Sequence, residues 1–206
     1  MIYCPILSRS KGLKSFISFT ESEMSLKEEI FRKASKTPKR ILFPEAEDER
    51  ILRAASELAE KGIGEPVVLV DVEKVRNDLP KTKIESIEWL EPASYPHLQD
   101  LADIYASRRS NVNEKMALRL LKRPLYLAGM VLDQGKVDAV VAGATKTTGQ
   151  VITAASLTVG MQDGVAQPSS FFLMIFPGTP ERILVFADCA LTVSYTHLTL
   201  PTTPYV

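Results

Sequence analysis

A segment rich in glycine and hydroxyl side chains, "GATKTTG", spans residues 143–149, between an apolar run and a helical pattern. A buried strand that ends in small residues just before a helix places several backbone N–H groups near one point, and the helix dipole adds partial positive charge there. Lys146 adds a full charge, and Thr147 and Thr148 add hydroxyl donors. The segment therefore predicts an anion site with phosphate as its ligand.

The spacing of this segment differs from that of the common phosphate-binding loops. It lacks the Gly-Lys-Ser/Thr ending of a P-loop, and it contains no G-x-G-x-x-G pattern. A second interpretation is that Thr147 or Thr148 only caps the helix that follows. Composition alone leaves both interpretations open.

The composition argues against several other classes of protein. Lys and Arg number 25 and are balanced by 25 Asp and Glu, so no general attraction to nucleic acid or to an anionic membrane is expected. No apolar run reaches the roughly 18 to 20 residues that a membrane span needs. Two distant cysteines and two isolated histidines predict no disulfide framework and no metal site. We therefore expect a cytoplasmic protein without a metal.

Predicted strands and helices alternate along the chain, and they must position the segment 143–149. The strands "RILFPE" and "EPVVLVD" flank the helical pattern "AEDERILRAASELAEKG", and "IESIEWLEP" alternates as a third, more exposed strand. An amphipathic helix starts at Met24, and further helical patterns cover about 97–109, 113–122 and 124–134. Continuous apolar strands between helices predict an α/β fold, a parallel sheet covered by helices on both faces in three layers.

The topology is predicted to change near residue 145. After a helix at about 147–160, the strands "SSFFLMIFP" and "RILVFAD" are joined by so short a turn that they should be antiparallel. This predicts a first α/β domain over 24–144 and part of a second over 145–192. Residues 1–23 form an uncertain leader, and the uncharged, Thr- and Pro-rich residues 193–206 are expected to be a non-native tail.

Four separated blocks resemble the phosphate acetyl/butyryltransferase family over about 24–192, and phosphate acetyltransferases most of all: "RILFPEAEDERILRAASELAEKGI", "VDAVVAGATKTTGQVITAA", "QPSSFFLMIFPG" and "ILVFADCA". The resemblance implies reversible transfer of an acetyl group between coenzyme A and inorganic phosphate, a reaction of acetate metabolism that needs no metal or redox cofactor. Acetyl-CoA, phosphate and acetyl phosphate are the expected ligands. It also implies a homodimer of two α/β domains around a cleft, with a topology similar to isocitrate and isopropylmalate dehydrogenases.

The resemblance also implies roles for particular residues. Arg108, in "IYASRRSN", matches a phosphate-side arginine of the family, and Ser169 with Ser170 match a pair near the cleft. Asp188, in "FADCA", matches a characteristic position with a possible catalytic role. Each residue also has a purely structural interpretation. Arg108 could interact favourably with the C-terminal dipole of its helix, and the serines could satisfy local backbone groups. Asp188 could cap a helix or form a turn.

The chain departs from the family pattern in two respects. Thr153 stands where many relatives carry an arginine. The Ser, Arg and Asp group that the family uses for thiol activation and coenzyme A binding is expected in a C-terminal half that this chain lacks, so an inactive fragment with little or no turnover is expected. The alternatives are a noncatalytic acetyl-CoA-binding regulatory domain, as in fused malic enzymes, and a phosphate butyryltransferase. A related dehydrogenase would need acidic metal ligands and a dinucleotide site, which the sequence does not show.

Overall fold

The computed structural model describes residues 25–70, 86–165, 168, 170–178 and 180–187. Six helices in these ranges are α1 Leu26–Lys36, α2 Glu49–Glu60, α3 Leu98–Ser107, α4 Glu114–Leu121, α5 Pro124–Asp133 and α6 Thr148–Thr158. Six strands in the same ranges are β1 Arg40–Phe43, β2 Glu65–Leu69, β3 Glu88–Leu90, β4 Ala139–Val140, β5 Phe171–Phe176 and β6 Arg182–Ala187. Among the described helices, none has the length and apolar character that a bilayer crossing requires.

Four of the strands form one parallel sheet in the order β3-β2-β1-β4. Leu42 of β1 is in register with Val67 of β2 on one side and with Val140 of β4 on the other. Three consecutive residues of β2, Val67 to Leu69, are almost fully buried, as expected for a strand covered on both faces. The predicted α/β class and parallel sheet are confirmed.

Helices cover both faces of this sheet because successive strand side chains point in opposite directions. On one face, Leu42 packs in a cluster with buried residues of α3, α4 and α5. On the other face, Phe43 and Val68 pack against Ala55 of α2. The sheet is therefore the middle of three layers, and its two apolar faces form the core.

The predicted domain boundary at residue 144 stays a prediction, while helix α6 belongs to the same compact unit as the sheet, which extends to Gly160. The reason is close packing between α5 and α6. A Cβ atom on Gly129 of α5 would overlap the buried side chain of Thr158. The Thr158 hydroxyl donates to the Ala154 carbonyl oxygen at 2.7 Å, which keeps its polar atom satisfied.

The second unit begins at Met161, and its regular structure in the described residues is the hairpin of β5 and β6. The two strands are antiparallel, with Phe171 opposite Ala187 and Phe176 opposite Arg182. This confirms the antiparallel pair predicted from the short turn. Large apolar side chains are exposed on both strands, including Phe171 and Val185.

Candidate functional site

A cavity of about 680 Å³ lies in the first unit, where the parallel strands end. The chain runs from β1 outward through β2 to β3 and then returns to place β4 on the other side of β1. This reversal of strand order leaves a crevice at the carboxyl ends of the strands. Open α/β sheets bind ligands in such crevices. Residues that follow β1, β2, β3 and β4 all contribute to its wall, together with the start of α5. The lining residues are Pro44, Glu45, Glu47, Leu69, Val70, Glu91, Pro92, Ala93, Lys122, Arg123, Pro124, Leu125, Tyr126, Thr145, Lys146 and Gln150.

The loop after β4 does bind an anion, but the anion is the protein's own Glu45 carboxylate. Its Oε2 accepts from the N–H of Ala144 at 2.9 Å and also from the N–H of Gly143. Its Oε1 accepts from the N–H groups of Thr145 and Lys146, each at 2.7 Å, and from the Thr145 hydroxyl at 2.7 Å. The expectation of free backbone donors is therefore wrong for residues 143–146. Glu45 comes just after β1, and the parallel pairing of β1 with β4 sets its carboxylate against the loop.

Glu45 is almost fully buried, at 4% exposure, yet it remains an anion. Burial by itself raises the pKa of a carboxyl group, because it disfavours the charged form. Hydrogen bonds from Thr145, Ala144 and Gly143 outweigh this effect and hold the pKa of Glu45 below its ordinary value. The carboxylate thus replaces solvent for four backbone donors and fixes the shape of the loop.

The same loop is also held from the start of α2. Asp48 caps that helix and pairs with Arg50, with 2.7 Å between Oδ2 and Nη2. Hydrogen bonds from the side chain and backbone of Arg50 lower the pKa of Asp48 to about 2. The Arg50 guanidinium in turn donates to the Ala144 carbonyl oxygen at 3.3 Å. Both sides of the loop backbone therefore have partners supplied by residues 45–50.

Thr147 caps helix α6, as the second interpretation of the sequence proposed. Its hydroxyl accepts from the Gln150 N–H at 3.3 Å, and the Gln150 side chain accepts from the Thr147 N–H at 2.9 Å. Together they form a capping box. Thr148 is the first residue of the helix and is exposed. Phosphate binding by Thr147 and Thr148 stays a prediction.

Three cationic side chains border the cavity: Lys122, Arg123 and Lys146. All three are exposed, and within the described part of the chain none of them forms an ion pair. Lys122 and Arg123 stand directly before α5, whose N-terminus has no side-chain cap. The sequence indicated Lys146 but not the other two, although a basic pair before a proline that starts a helix was a usable signal.

Arg108 lies at the other end of the first unit. Its Nη1 is 2.8 Å from Oδ2 of Asp133, a carboxylate that is only 6% exposed and ends α5. Lys146 instead shares the cavity with Pro124, which begins α5. A helix of this length spans about 15 Å, so the structure does not bring Arg108 and Lys146 into one cluster. The phosphate role of Arg108 remains a prediction.

The remaining candidate residues of the sequence do not line this cavity in the described part of the structure. Ser169 and Asp188 lie outside the described residues. Ser170 is buried at 8% exposure, just before β5 in the second unit. Thr153 is exposed on α6. In the described ranges, no three His, Cys, Asp or Glu side chains are grouped so that they could hold a metal ion.

Comparison with known proteins agrees with this architecture. The family model described as "Phosphate acetyl/butaryl transferase" matches residues 25–200, which is most of the chain. The chain belongs to this family. Its four-stranded parallel sheet and both edges of that sheet fall inside the matched range.

Individual members of the family are moderately similar in sequence. The chain is 32% identical over 174 residues to a phosphate acetyltransferase of Clostridium acetobutylicum, covering 81% of this chain and 52% of the relative. It is 32% identical over 155 residues to a phosphate acetyltransferase of Staphylococcus aureus, covering 74% and 46% of the two chains. The chain therefore spans about half the length of these curated relatives.

Solved structures of the family share the fold. A phosphotransacetylase from Streptococcus pyogenes superposes with a TM-score of 0.71 at 26% identity, over 82% of this chain and 53% of the other. The EutD phosphotransacetylase from Staphylococcus aureus gives 0.70 at 28% identity, over 81% and 52%. The described elements are thus those of a phosphotransacetylase-type α/β domain.

Proposed function

We propose that the protein is a phosphate acetyltransferase that moves an acetyl group reversibly between coenzyme A and inorganic phosphate, and that this chain supplies the phosphate side of the site. The observation that carries the proposal is the family match over residues 25–200. The cavity at the carboxyl edge of the sheet supports it, because it presents cations that form no ion pair with the described residues. An acyl-phosphate reaction needs such fixed charges more than it needs a nucleophilic side chain.

The reaction defines what those charges must do. The sulfur of coenzyme A bonds to the carbonyl carbon of acetyl phosphate, the bond from that carbon to the phosphate oxygen breaks, and phosphate leaves with the electron pair. The thiol loses its proton to a base as it attacks. Positive charge near the departing phosphate lowers the barrier, since negative charge grows there. Lys146 is the residue that we assign to this role, because its ammonium has no ion-pair partner in the described ranges and its loop has a shape that Glu45 fixes.

We propose further that the protein acts as a cytoplasmic homodimer without a metal or redox cofactor. The two widely separated cysteines, which suggest no disulfide framework, support a reducing compartment. Acyl transfer from a thioester to phosphate moves no electrons between substrates, so the chemistry itself requires no redox group. Size-exclusion chromatography with light scattering tests the dimer.

Ligand binding to the purified 206-residue chain tests the function. Isothermal titration with acetyl-CoA and phosphorus NMR with inorganic phosphate and acetyl phosphate measure the affinities. We expect all three to bind, and Lys146→Ala to weaken inorganic phosphate by about tenfold, which is ~1.4 kcal/mol. Lys36→Ala on α1 removes an exposed lysine remote in sequence and serves as the matched control.

The outcomes separate the candidate functions. Binding of acetyl-CoA without any binding of phosphate or acetyl phosphate would favour the noncatalytic regulatory domain. Tighter binding of butyryl-CoA than of acetyl-CoA would favour a phosphate butyryltransferase. Failure of every one of these ligands to bind would reject the proposed function.

A further inference from the structure

The cavity at the carboxyl edge of the sheet is larger than inorganic phosphate needs. Its volume of about 680 Å³ lies in the range of pockets that hold drug-sized or nucleotide-sized molecules. Its lining includes three basic side chains, Lys122, Arg123 and Lys146, and also apolar residues, among them Leu69, Val70 and Leu125. A ligand that matches both kinds of residue carries several negative charges and a substantial uncharged portion.

The charges that face this cavity differ in whether they are already satisfied. Glu45 accepts from the loop after β4, and Glu91 accepts from the Ser94 hydroxyl at 2.6 Å. Glu47 is likewise not free. The three cations, in contrast, form no ion pair with the described residues. The positive charge is therefore available to a ligand, while the described carboxylates are engaged.

The basic groups come from two different elements, so one small anion is a poor match for all of them. Lys146 follows β4, whereas Lys122 and Arg123 precede α5. The dipole of α5 adds partial positive charge beside the second pair, and its first residue is a proline that has no N–H to offer. The cavity is therefore lined by basic groups from two different segments of the chain.

We propose that Lys122 and Arg123 bind the phosphate groups of an organic phosphate of nucleotide size, whose uncharged portion lies against the apolar residues of the cavity. Lys146 remains the position for the phosphate that is transferred. The inference rests on the proposed function, since coenzyme A is the organic phosphate that the reaction would use. It assigns the recognition of that substrate to two residues that the family resemblance did not indicate.

The test is a comparison of two double variants in the 206-residue chain. Lys122→Ser with Arg123→Ser removes the pair, and Lys115→Ser with Arg119→Ser removes the same charge from exposed positions on the neighbouring helix α4. Lys122→Gln with Arg123→Gln is the second version, and circular dichroism verifies that each variant is folded. Isothermal titration measures the affinities for coenzyme A, dephospho-coenzyme A and inorganic phosphate.

We expect the Lys122 and Arg123 variants to weaken coenzyme A by at least about tenfold, with inorganic phosphate unchanged and the α4 control near wild type. If the affinity for dephospho-coenzyme A falls equally, the pair binds the diphosphate. If only the affinity for coenzyme A falls, the pair binds the 3′-phosphate. Either result supports the proposal.

One result would overturn it: an unchanged affinity for coenzyme A in the double variants, whether or not their affinity for inorganic phosphate falls. That result leaves the proposed function intact provided that the wild type binds its ligands. If the wild-type chain binds none of the three ligands, both the proposed function and this inference are rejected.

Discussion

Basic side chains are paired at one edge of the parallel sheet, and those around the cavity at the other edge are not paired with described residues. At the amino edge, Asp138 accepts from the backbone N–H of Arg40 at 2.9 Å and from Lys39 at 3.2 Å, and the Arg40 guanidinium pairs with Glu88. Asp133, just before that edge, pairs with Arg108. At the carboxyl edge, the three cations around the cavity have no such partners among the described residues.

This difference separates charges that hold the fold from charges that can bind a ligand. Paired charges at the amino edge fix where β1, β3, β4 and α5 begin or end, so their loss should change stability. Unpaired cations contribute little to stability and are free to meet an anion. The acidic groups at the carboxyl edge have partners as well, and Glu45 has the most of them, since it accepts hydrogen bonds from the loop after β4.

The largest loss of stability is expected from a substitution of Glu45. Glu45→Ala removes the acceptor of four backbone N–H groups and one hydroxyl, and we expect a loss of about 3 kcal/mol in the free energy of unfolding. Urea unfolding followed by the fluorescence of Trp89, the single tryptophan of the chain, reports on the sheet. Amide exchange at residues 143–146 should accelerate at the same time.

A nearby glutamate provides the control for this variant. Glu49 is exposed and forms a pair with Arg53 at 3.0 Å, one helical turn away, so Glu49→Ala should change stability by less than about 0.5 kcal/mol. If Glu45→Ala and Glu49→Ala have equal effects, the loop after β4 does not depend on Glu45.

A smaller effect is expected from breaking the pair beside the amino edge. Asp133→Asn leaves the Arg108 guanidinium without its carboxylate and should cost about 1 kcal/mol of unfolding free energy, since the Arg108 side chain is 40% exposed. Inorganic phosphate affinity should not change, because the pair is remote from the cavity. A clear change in phosphate affinity would instead support the ligand role that the sequence predicts for Arg108.

The smallest change in the free energy of unfolding is expected when the pH is lowered. Burial by itself raises the pKa of Glu45, but hydrogen bonds from the loop hold this pKa below its ordinary value of 4.5. A lowered folded-state pKa stabilises the fold above the unfolded-state value, and this contribution disappears as the pH falls through the folded-state value. The stability difference between the wild type and Glu45→Gln should therefore narrow below about pH 4.5. Urea unfolding of both proteins from pH 7 downward measures it, and a constant difference across that range would contradict the expectation.

Much of the fold was predictable from local pattern. The apolar run at Val67 to Leu69 predicted a strand buried on both faces, and the periodic patterns at 97–109, 113–122 and 124–134 predicted three helices within one or two residues of their observed ends. The predicted boundary near residue 145 stays a prediction, and the compact unit that contains the sheet extends to Gly160. The packing of Gly129 against Thr158 joins α6 to the first unit, and a contact between residues so far apart in the chain leaves no local signal.

The candidate site was less predictable, and for the same reason. The hydroxyl-rich segment 143–149 correctly indicated converging N–H donors, because a strand that ends before a helix always creates them. The acceptor of these N–H groups could not be read from the local sequence, because Glu45 is separated from Gly143 by nearly a hundred residues. Lys122 and Arg123 appeared as a basic pair before a helix, and only the sheet order brings them to the wall that Lys146 also lines.

By itself the sequence determined the alternation of strands and helices, the α/β class and the family to which the chain belongs, because these depend on residue periodicity and on ordered local motifs. Only the tertiary structure decided which charges are paired and which are free. Charge pairing depends on the distance between atoms, and in this protein that distance is set by the neighbouring positions of β1 and β4 in the sheet. The same adjacency that buries Glu45 in the loop opens the crevice beside it.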